Sequence, residues 1–397
     1  MKFRISRSAS ILLIGFFIVF IHYSIRYSYG ILLPKMEPSL NISKFESGII
    51  YTSYFVGYTV FSVPLGIFVD RFDARKLIAF FLLILGLGTF FMSLSSTLIE
   101  ASLSFMLAGI GCAACWVPVV VVVQRWFKKR AFAVSIANMG APIGFALTGV
   151  IVPLLVKIGG WRLGWRVFGA TSILLAPITW LSIRSYPENY AKKGNGISKD
   201  FLKKAYATIV KNIKLWLAGF SYMFVGFYIM VPFTFLSAYA SQEMPIVYDY
   251  ASMLVSMIAF GAIPGMLILA SLSEVIGRLK IMVLCGCIST IGILGIASAQ
   301  FFPGLEFTIL ALSTVFYGVG YGAVWPLYAV YVSDIFSMEY GGVVLGLMTI
   351  FLGVGCMLSP PVAGWVADTT GTLRSSFLVA SAVSVLSVLC LLPMWKR

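Results

Sequence analysis

The sequence predicts an all-α integral membrane protein with about twelve transmembrane helices, and three observations support this fold class. Hydrophobic residues make up 60% of the 397 residues and charged residues only 11%, which is more apolar than soluble domains are. Uncharged runs of about 18 or more residues recur along the whole chain, and each could cross ~30 Å of hydrocarbon as a helix. The period-two alternation of a transmembrane β-barrel is absent.

The predicted spans follow one another with short connections, except for one longer polar stretch in the middle. The first span resembles a secretory signal in its basic head and apolar body. We expect it to remain uncleaved, because no small-residue cleavage site follows and the apolar run continues past Arg26. The spans lie at about 8–33, 47–69, 77–99, 101–124, 131–156, 166–183, 215–240, 251–273, 281–300, 305–333, 343–367 and 376–394.

The distribution of basic residues predicts how these spans are oriented. Of the 29 Lys and Arg residues, 22 fall in segments predicted to be inside and six in outer loops, and the remaining one is Arg26. Because Lys and Arg in short loops stay on the inner side, we expect both termini to be cytoplasmic and the protein to lie in the plasma membrane. The net charge of +15 is scattered over short loops rather than gathered on one face, so no nucleic-acid partner is expected.

The two halves of the chain are related by an internal repeat. Residues 109–118 read GIGCAACWVP, and residues 318–326 read GVGYGAVWP at an offset of 209 positions. This predicts two pseudo-repeated six-helix bundles, residues 1–183 and 215–397, joined by a basic cytoplasmic linker over 184–214. Such a repeat is typical of transporters that bind substrate near the midplane of the membrane. Further matches pair Pro153 with Pro361, Gly160 with Gly371, and Phe168 with Phe377.

A charged loop after the second span predicts a cytoplasmic gate. It reads GIFVDRFDARK over 66–76, and the equivalent loop of the second half reads ASLSEVIGRLK over 270–280. An acid near a neighbouring helix N-terminus can hold one conformation, whereas a solvated charged turn is the alternative interpretation of a single loop. The acid is present in both copies, which favours the gate. The charged residues of this predicted gate include Asp70, Arg71, Glu274 and Arg278.

At this loop the chain resembles the major facilitator superfamily, whose signature there is G-x-x-x-D-R-x-G-R-R or similar. The resemblance extends over essentially the whole chain and implies a secondary active transporter that works by alternating access. Asp73 and Ala74 depart from the end of the signature, and Phe105 stands where many proton-coupled members have an Arg. The resemblance implies that Gly66, Asp70, Arg71 and Arg75 form the cytoplasmic gate. The departure at Phe105 argues against a drug/proton antiporter.

Finer resemblances point to carriers of small anions. RWFKKRA at 125–131, GWR at 160–162 and PEN at 187–189 are similar to bacterial and archaeal relatives of the monocarboxylate transporters and the oxalate/formate exchanger. An Arg in the first span is instead similar to the organophosphate and anion:cation branches. Both groups move small anions, but they differ in which anion they carry.

The first span carries the most informative charge of the chain. A buried cation costs at least ~2.5–3.5 kcal/mol in lipid, and the planar fork of Arg26 suits a carboxylate or phosphate. His22 lies four residues earlier on the same helix face. The alternatives are that Arg26 reaches the outer headgroups and that His22 only packs between helices.

Aromatic and amide side chains on other spans complete the predicted binding site. Tyrosine gives an apolar wall with a hydroxyl group, which suits an organic anion, although such stripes also serve helix packing. An amide within a span can equally well form a hydrogen bond between helices. The predicted substrate-binding residues are Arg26, His22, Tyr54, Tyr58, Asn138, Tyr321 and Trp325.

The sequence contains no pattern that indicates an enzyme or a cofactor. It has one His, no Ser/His/Asp constellation and no glycine-rich phosphate loop. The six cysteines all fall within predicted spans and predict neither disulfides nor a metal site. All fourteen Asp and Glu residues fall in loops or at span ends, so coupling would use His22, the substrate's own proton, or anion exchange.

We therefore expect a monomeric carrier that moves a small organic anion by proton symport or anion exchange. The anion would be a monocarboxylate, a dicarboxylate or a phosphate ester. One alternative is a carrier of a neutral or cationic solute in which Arg26 is structural. A more remote one is a transporter-like nutrient sensor, which is disfavoured by the short tails and linker.

Overall fold

The computed structural model describes residues 7–71, 73–127, 129–186, 209–336 and 341–395, with the backbone alone at 63, 66–71, 130–131 and 341–342. Every regular element in this part of the chain is helical. Two short 3₁₀ turns, Ala299–Phe301 and Leu392–Met394, accompany thirteen described α-helices. These are α1 (Arg7–Leu40), α2 (Lys44–Arg71), α3 (Ala74–Met92), α4 (Leu98–Cys112), α5 (Val117–Trp126), α6 (Arg130–Asn138), α7 (Gly140–Ser182), α8 (Ile213–Gln242), α9 (Tyr248–Ile276), α10 (Arg278–Ser298), α11 (Glu306–Ile335), α12 (Gly341–Thr370) and α13 (Leu373–Leu391).

Ten helical stretches of the described chain are long and apolar enough to cross a membrane. One of them, Phe132–Ser182, has 51 residues and would measure ~75 Å as one helix, so it holds two spans. The chain turns at Gly159 and Gly160, where the backbone is not helical and Gly160 has φ of +70°. The 28-residue α2 supplies a further span, which brings the total among the described residues to twelve.

The glycines of α7 show that its two parts run in opposite directions. Gly140 lies against Phe16 of α1 and Gly144 lies against Phe20, so the first part rises alongside α1. Gly169 then contacts Phe90 of α3, and Gly86 of the same helix lies against Ile173. The second part therefore descends along α3.

Both G-x-G pairs of the repeat lie where helices touch backbone to backbone. A side chain at Gly109 would collide with the carbonyl oxygen of Tyr54 on α2, and one at Gly111 with the backbone of Leu85 on α3. In the second half, Gly318 and Gly320 occupy the same positions, against the carbonyl oxygens of Ile258 on α9 and Cys285 on α10. Each pair thus lets one helix approach the two before it, and in the first half this contact fixes the position of Tyr54.

Three predicted spans differ from the described helices. The first continues to Leu40 through Pro34 and Pro38, so Glu37 lies inside α1 and is only 6% exposed. Glu37 thus lies in the last turn of the longer helix, because the two prolines do not end the helix as their missing N–H groups suggest. Neighbouring helices can compensate for such prolines in membrane spans.

The predicted fourth and fifth spans are each broken. Residues 113–116 separate α4 from α5, and Met139 separates α6 from α7. Pro118 is the second residue of α5, a position that tolerates proline because the first N–H groups of a helix have no partner in the helix. Each of these two predicted spans is therefore built from two helices rather than one.

The chain divides into two compact units: residues 1–42 with 49–192, and residues 43–48 with 193–397. In the second unit, Asp368 of α12 accepts hydrogen bonds from the backbone N–H groups of Lys44 (3.1 Å) and Phe45 (2.9 Å) at the start of α2. Most of the predicted linker, including the PEN segment, lies outside the described residues.

Replacing Gly109 by Ala should destabilise the protein. The added methyl group would meet the backbone of Tyr54, which cannot move away as a flexible side chain could, and overpacking of this kind costs ~1–3 kcal/mol. We expect a lower melting temperature for the purified protein in detergent. Gly346→Ala is the control, because nothing lies within 4 Å of a side chain added there. Equal melting temperatures for both variants would contradict the proposed close approach.

Candidate functional site

Arg26 lies within the first unit, surrounded by aromatic rings. Its side chain is 5% exposed, and its guanidinium carbon is 4.6 Å from the centre of the Phe55 ring. Three tyrosine rings lie 5.7–6.0 Å away, within the range of cation–π attraction. They belong to Tyr23, Tyr27 and Tyr58.

Helical spacing explains how these rings meet the guanidinium. Tyr23 and Tyr27 lie within one turn of Arg26 on α1, and Phe55 and Tyr58 are three residues apart on α2. The two helices are joined at the same level, because the Tyr51 hydroxyl donates a hydrogen bond to the carbonyl oxygen of Arg26 (3.0 Å).

No carboxylate pairs with this cation in the part of the chain that the structure describes. The Nε atom of Arg26 is fully enclosed and has no hydrogen-bond partner there. Three of the four rings around the guanidinium belong to tyrosines, which are uncharged near neutral pH. The site therefore holds a positive charge that is stabilised by rings and is not neutralised.

Two further polar groups of the predicted site are buried without partners. His22 is 2% exposed, and neither of its ring nitrogens has a hydrogen-bond partner among the described residues. The Tyr54 hydroxyl is likewise enclosed and unpartnered, and it lies near the thiol of Cys112. These groups can therefore still form hydrogen bonds with a ligand.

Phe105 takes part in the stack that supports Tyr54. Its ring lies 4.8 Å from Tyr54, 5.1 Å from Tyr29 and 5.5 Å from Trp165. Many proton-coupled members of the resembled family have an Arg at this position. Here the position holds an apolar ring and brings no second cation into the cluster.

Asn138 lies where both broken spans are interrupted. Its side-chain oxygen accepts a hydrogen bond from the Trp116 indole N–H (3.2 Å). Trp116 immediately precedes α5 and Asn138 ends α6, so one bond joins the two breaks. Trp116 was not among the predicted site residues, although its repeat partner Trp325 was, and the repeat itself could have indicated it.

The other two predicted residues lie in the second unit. Tyr321 is buried, 5.3 Å from Phe233 and 6.2 Å from Tyr317 between ring centres. Trp325 is half-buried and meets Tyr222 edge-on at 6.2 Å.

The structure describes only part of the predicted gate, because it gives the backbone alone at Gly66, Asp70 and Arg71. Arg75 forms a 3.4 Å ion pair with Asp73, whose carboxylate also caps α3. The substitution of Asp at the usual Gly position of the signature thus supplies a helix cap.

In the second half of the gate, Arg278 pairs with Asp334 of α11 at 2.6 Å. Both residues line a cavity of about 640 Å³, and Glu274 lines it as well. Sequence reasoning missed Asp334, because it lies far from the repeated loop along the chain.

The sequence model of the Major Facilitator Superfamily matches residues 15–246 and 232–396, nearly the whole chain. The chain belongs to the Major Facilitator Superfamily. This confirms the family resemblance and the expectation of a multi-pass membrane transporter rather than an enzyme.

Relatives of this major facilitator chain carry names of organic anions. The hexuronate transporter of Bacillus subtilis (strain 168) is 21% identical, over 94% of this chain and 91% of that relative. The probable sulfoacetate transporter SauU of Cupriavidus necator is 24% identical, over 96% and 93%. Monocarboxylate transporter 12-B of Danio rerio is 26% identical, over 72% and 65%.

Solved structures confirm the major facilitator fold. The nucleoside transporter NupG has a TM-score of 0.80 at 18% identity, over 99% of this chain and all of that one. A bacterial homolog of the human lysosomal transporter Spinster, inward-facing and unoccupied, has a TM-score of 0.77 at 18% identity, over 98% and 95%.

The Trp116–Asn138 hydrogen bond should be measurable as a coupling energy. Trp116→Phe and Asn138→Leu each remove this bond. The loss of unfolding free energy in the double variant should therefore be smaller than the sum of the two single losses, by ~0.5–1.5 kcal/mol. Unfolding free energies in detergent would measure this. Trp126→Phe combined with Asn138→Leu is the control and should be additive, since the Trp126 indole bonds instead to the carbonyl oxygen of Arg184. Additivity in both pairs would contradict the contact.

Proposed function

We propose that this transporter moves a small organic anion across the plasma membrane by alternating access, with Arg26 as the group that binds the anion's charge. The observation that carries the proposal is a guanidinium that is 5% exposed and has no carboxylate partner among the described residues. A buried cation of this kind is costly, and a bound carboxylate, sulfonate or phosphate would neutralise it through charge-assisted hydrogen bonds.

Two further observations support the proposal. Burial of Arg26 among four rings of its own unit argues against a side chain that extends to the headgroups. The hexuronate, sulfoacetate and monocarboxylate in the names of relatives are all organic anions. The likeness to a nucleoside transporter is one of fold alone.

A carrier of neutral or cationic solutes is the second candidate, and one observation favours it. The four rings around Arg26 can hold the cation by cation–π attraction, worth ~0.5–2 kcal/mol at each favourable contact, so the residue could be purely structural. The unpartnered His22 and Tyr54 at the same place favour a ligand site instead.

We further propose that the two six-helix bundles, residues 1–183 and 215–397, are the moving parts, and that a monomer is sufficient for transport. Coupling is to a proton or to a counter-anion. His22 is the titratable base nearest to Arg26 along α1, and the buried Glu37 is a second ionisable group on that helix.

Neutralising Arg26 should abolish high-affinity anion uptake. Arg26→Gln removes the charge-assisted bonds, worth ~1.5–3 kcal/mol, so the affinity for the anion should fall at least about tenfold. Arg26→Lys keeps the charge but loses the planar fork, so its affinity for the anion should lie between those of the wild-type protein and Arg26→Gln. Uptake of a panel of labelled carboxylates, sulfonates and phosphate esters into proteoliposomes would measure this.

Arg162→Gln is the matched control for that experiment. This arginine donates to the Ser39 hydroxyl and the Ser95 carbonyl, both at 3.2 Å, so it already has partners and its loss should leave anion affinity unchanged. Unaltered anion uptake and affinity in both Arg26 variants would instead favour the carrier of neutral or cationic solutes.

The cytoplasmic gate should affect turnover more than binding. We propose that Asp70 and Arg71, with Arg75, Glu274 and Arg278, stabilise one end state of the cycle, so Asp70→Asn should lower the maximal uptake rate several-fold while substrate affinity changes less than about twofold. Uptake kinetics and equilibrium binding on the same preparation separate these effects. Asp249→Asn, in the first turn of α9, is the control. A large loss of binding with normal turnover of bound substrate would contradict the gate.

A further inference from the structure

His22 and Arg26 offer two different kinds of bonding group side by side. They lie four residues apart on α1, which places both side chains on one helix face about 6 Å apart at their Cβ atoms. The two side chains are 2% and 5% exposed. Neither ring nitrogen of His22, nor Nε of Arg26, has a hydrogen-bond partner in the described chain.

The two residues differ in what they require of a ligand. A guanidinium only donates hydrogen bonds, whereas an uncharged imidazole has one N–H donor and one bare nitrogen that accepts. A carboxylate only accepts, so it can bond to Arg26 and to the imidazole N–H but leaves the bare nitrogen unpaired. A buried polar atom without a partner is unfavourable, so a well-matched ligand needs a donor of its own there.

We propose that the anion bound at Arg26 is a hydroxy acid, whose carboxylate pairs with the guanidinium and whose hydroxyl group donates to the bare ring nitrogen of His22. This inference rests on the proposed function and narrows its substrate class. The Tyr54 hydroxyl, also enclosed and unpartnered, is available to further oxygens of a polyhydroxylated acid.

An amino acid would satisfy the bare nitrogen less well than a hydroxy acid. Its ammonium group would donate to His22 but would bring a second positive charge close to Arg26, and like charges repel strongly in a buried site. The described site has no carboxylate paired with Arg26 that would offset this repulsion. The chemistry of the pair therefore selects a hydroxyl group over an ammonium group.

Matched ligands test the proposal on the purified full-length protein. The pairs are lactate with propionate, 3-hydroxybutyrate with butyrate, and gluconate with hexanoate, each measured by calorimetric titration. We expect at least one hydroxylated acid to bind about tenfold or more tightly than its partner. If the wild-type protein binds both members of every pair equally, the hydroxy-acid inference is wrong and the anion proposal stands. If it binds none of these carboxylates, the hydroxy-acid inference is wrong, and the anion proposal is also wrong if the uptake of sulfonates and phosphate esters is absent.

Variants of His22 assign the preference to this residue. His22→Phe keeps a ring but removes both polar atoms, so the ratio of the two affinities should fall to about one while the unhydroxylated acid binds as before. His22→Gln keeps a donor and an acceptor and should retain the preference, which also covers the case in which the Phe variant does not fold. Arg26→Gln should weaken both members of a pair alike. A preference that survives unchanged in a folded His22→Phe variant would overturn the assignment.

Discussion

Arg26 is buried without an opposite charge among the described residues, and this is the constraint on which the first unit depends. A guanidinium in a membrane span must be held by its surroundings, and here four aromatic rings from α1 and α2 lie within 4.6–6.0 Å of it. Their attraction depends on α2 keeping its position beside α1. The bond from the Tyr51 hydroxyl to the Arg26 carbonyl ties the two helices at the required level.

The glycine pair of α4 extends the same arrangement to a third and a fourth helix. Gly109 lets α4 touch the backbone of α2 at Tyr54, and Gly111 lets it touch α3 at Leu85. Phe105, one turn earlier on α4, can then stack against Tyr54. The repeat thus preserves a packing device in both halves, whereas the cation exists only in the first. The binding chemistry that we propose therefore belongs to one copy of the repeat.

The sequence predicted the parts of this structure that depend on composition and spacing. Apolar run length located the spans, and the four-residue spacing correctly placed His22 and Arg26 on one face of α1. Where the sequence prediction failed, the outcome depends on contacts between helices. Pro34 and Pro38 look like helix ends in the sequence, yet α1 continues past them and buries Glu37. The Trp116–Asn138 bond joins the breaks in two spans. The hydropathy pattern reveals neither break.

The way the Arg26 charge is stabilised bears on what the site can do. A carboxylate fixed in the same span would neutralise the cation permanently, and a substrate anion would then have to displace it. Aromatic rings stabilise a cation through their faces but leave its N–H groups without acceptors. A ligand carboxylate can therefore bind without breaking an existing ion pair. After it leaves, the rings still stabilise the cation. A carrier must both bind and release its substrate in each cycle, and a cation held by rings meets both requirements.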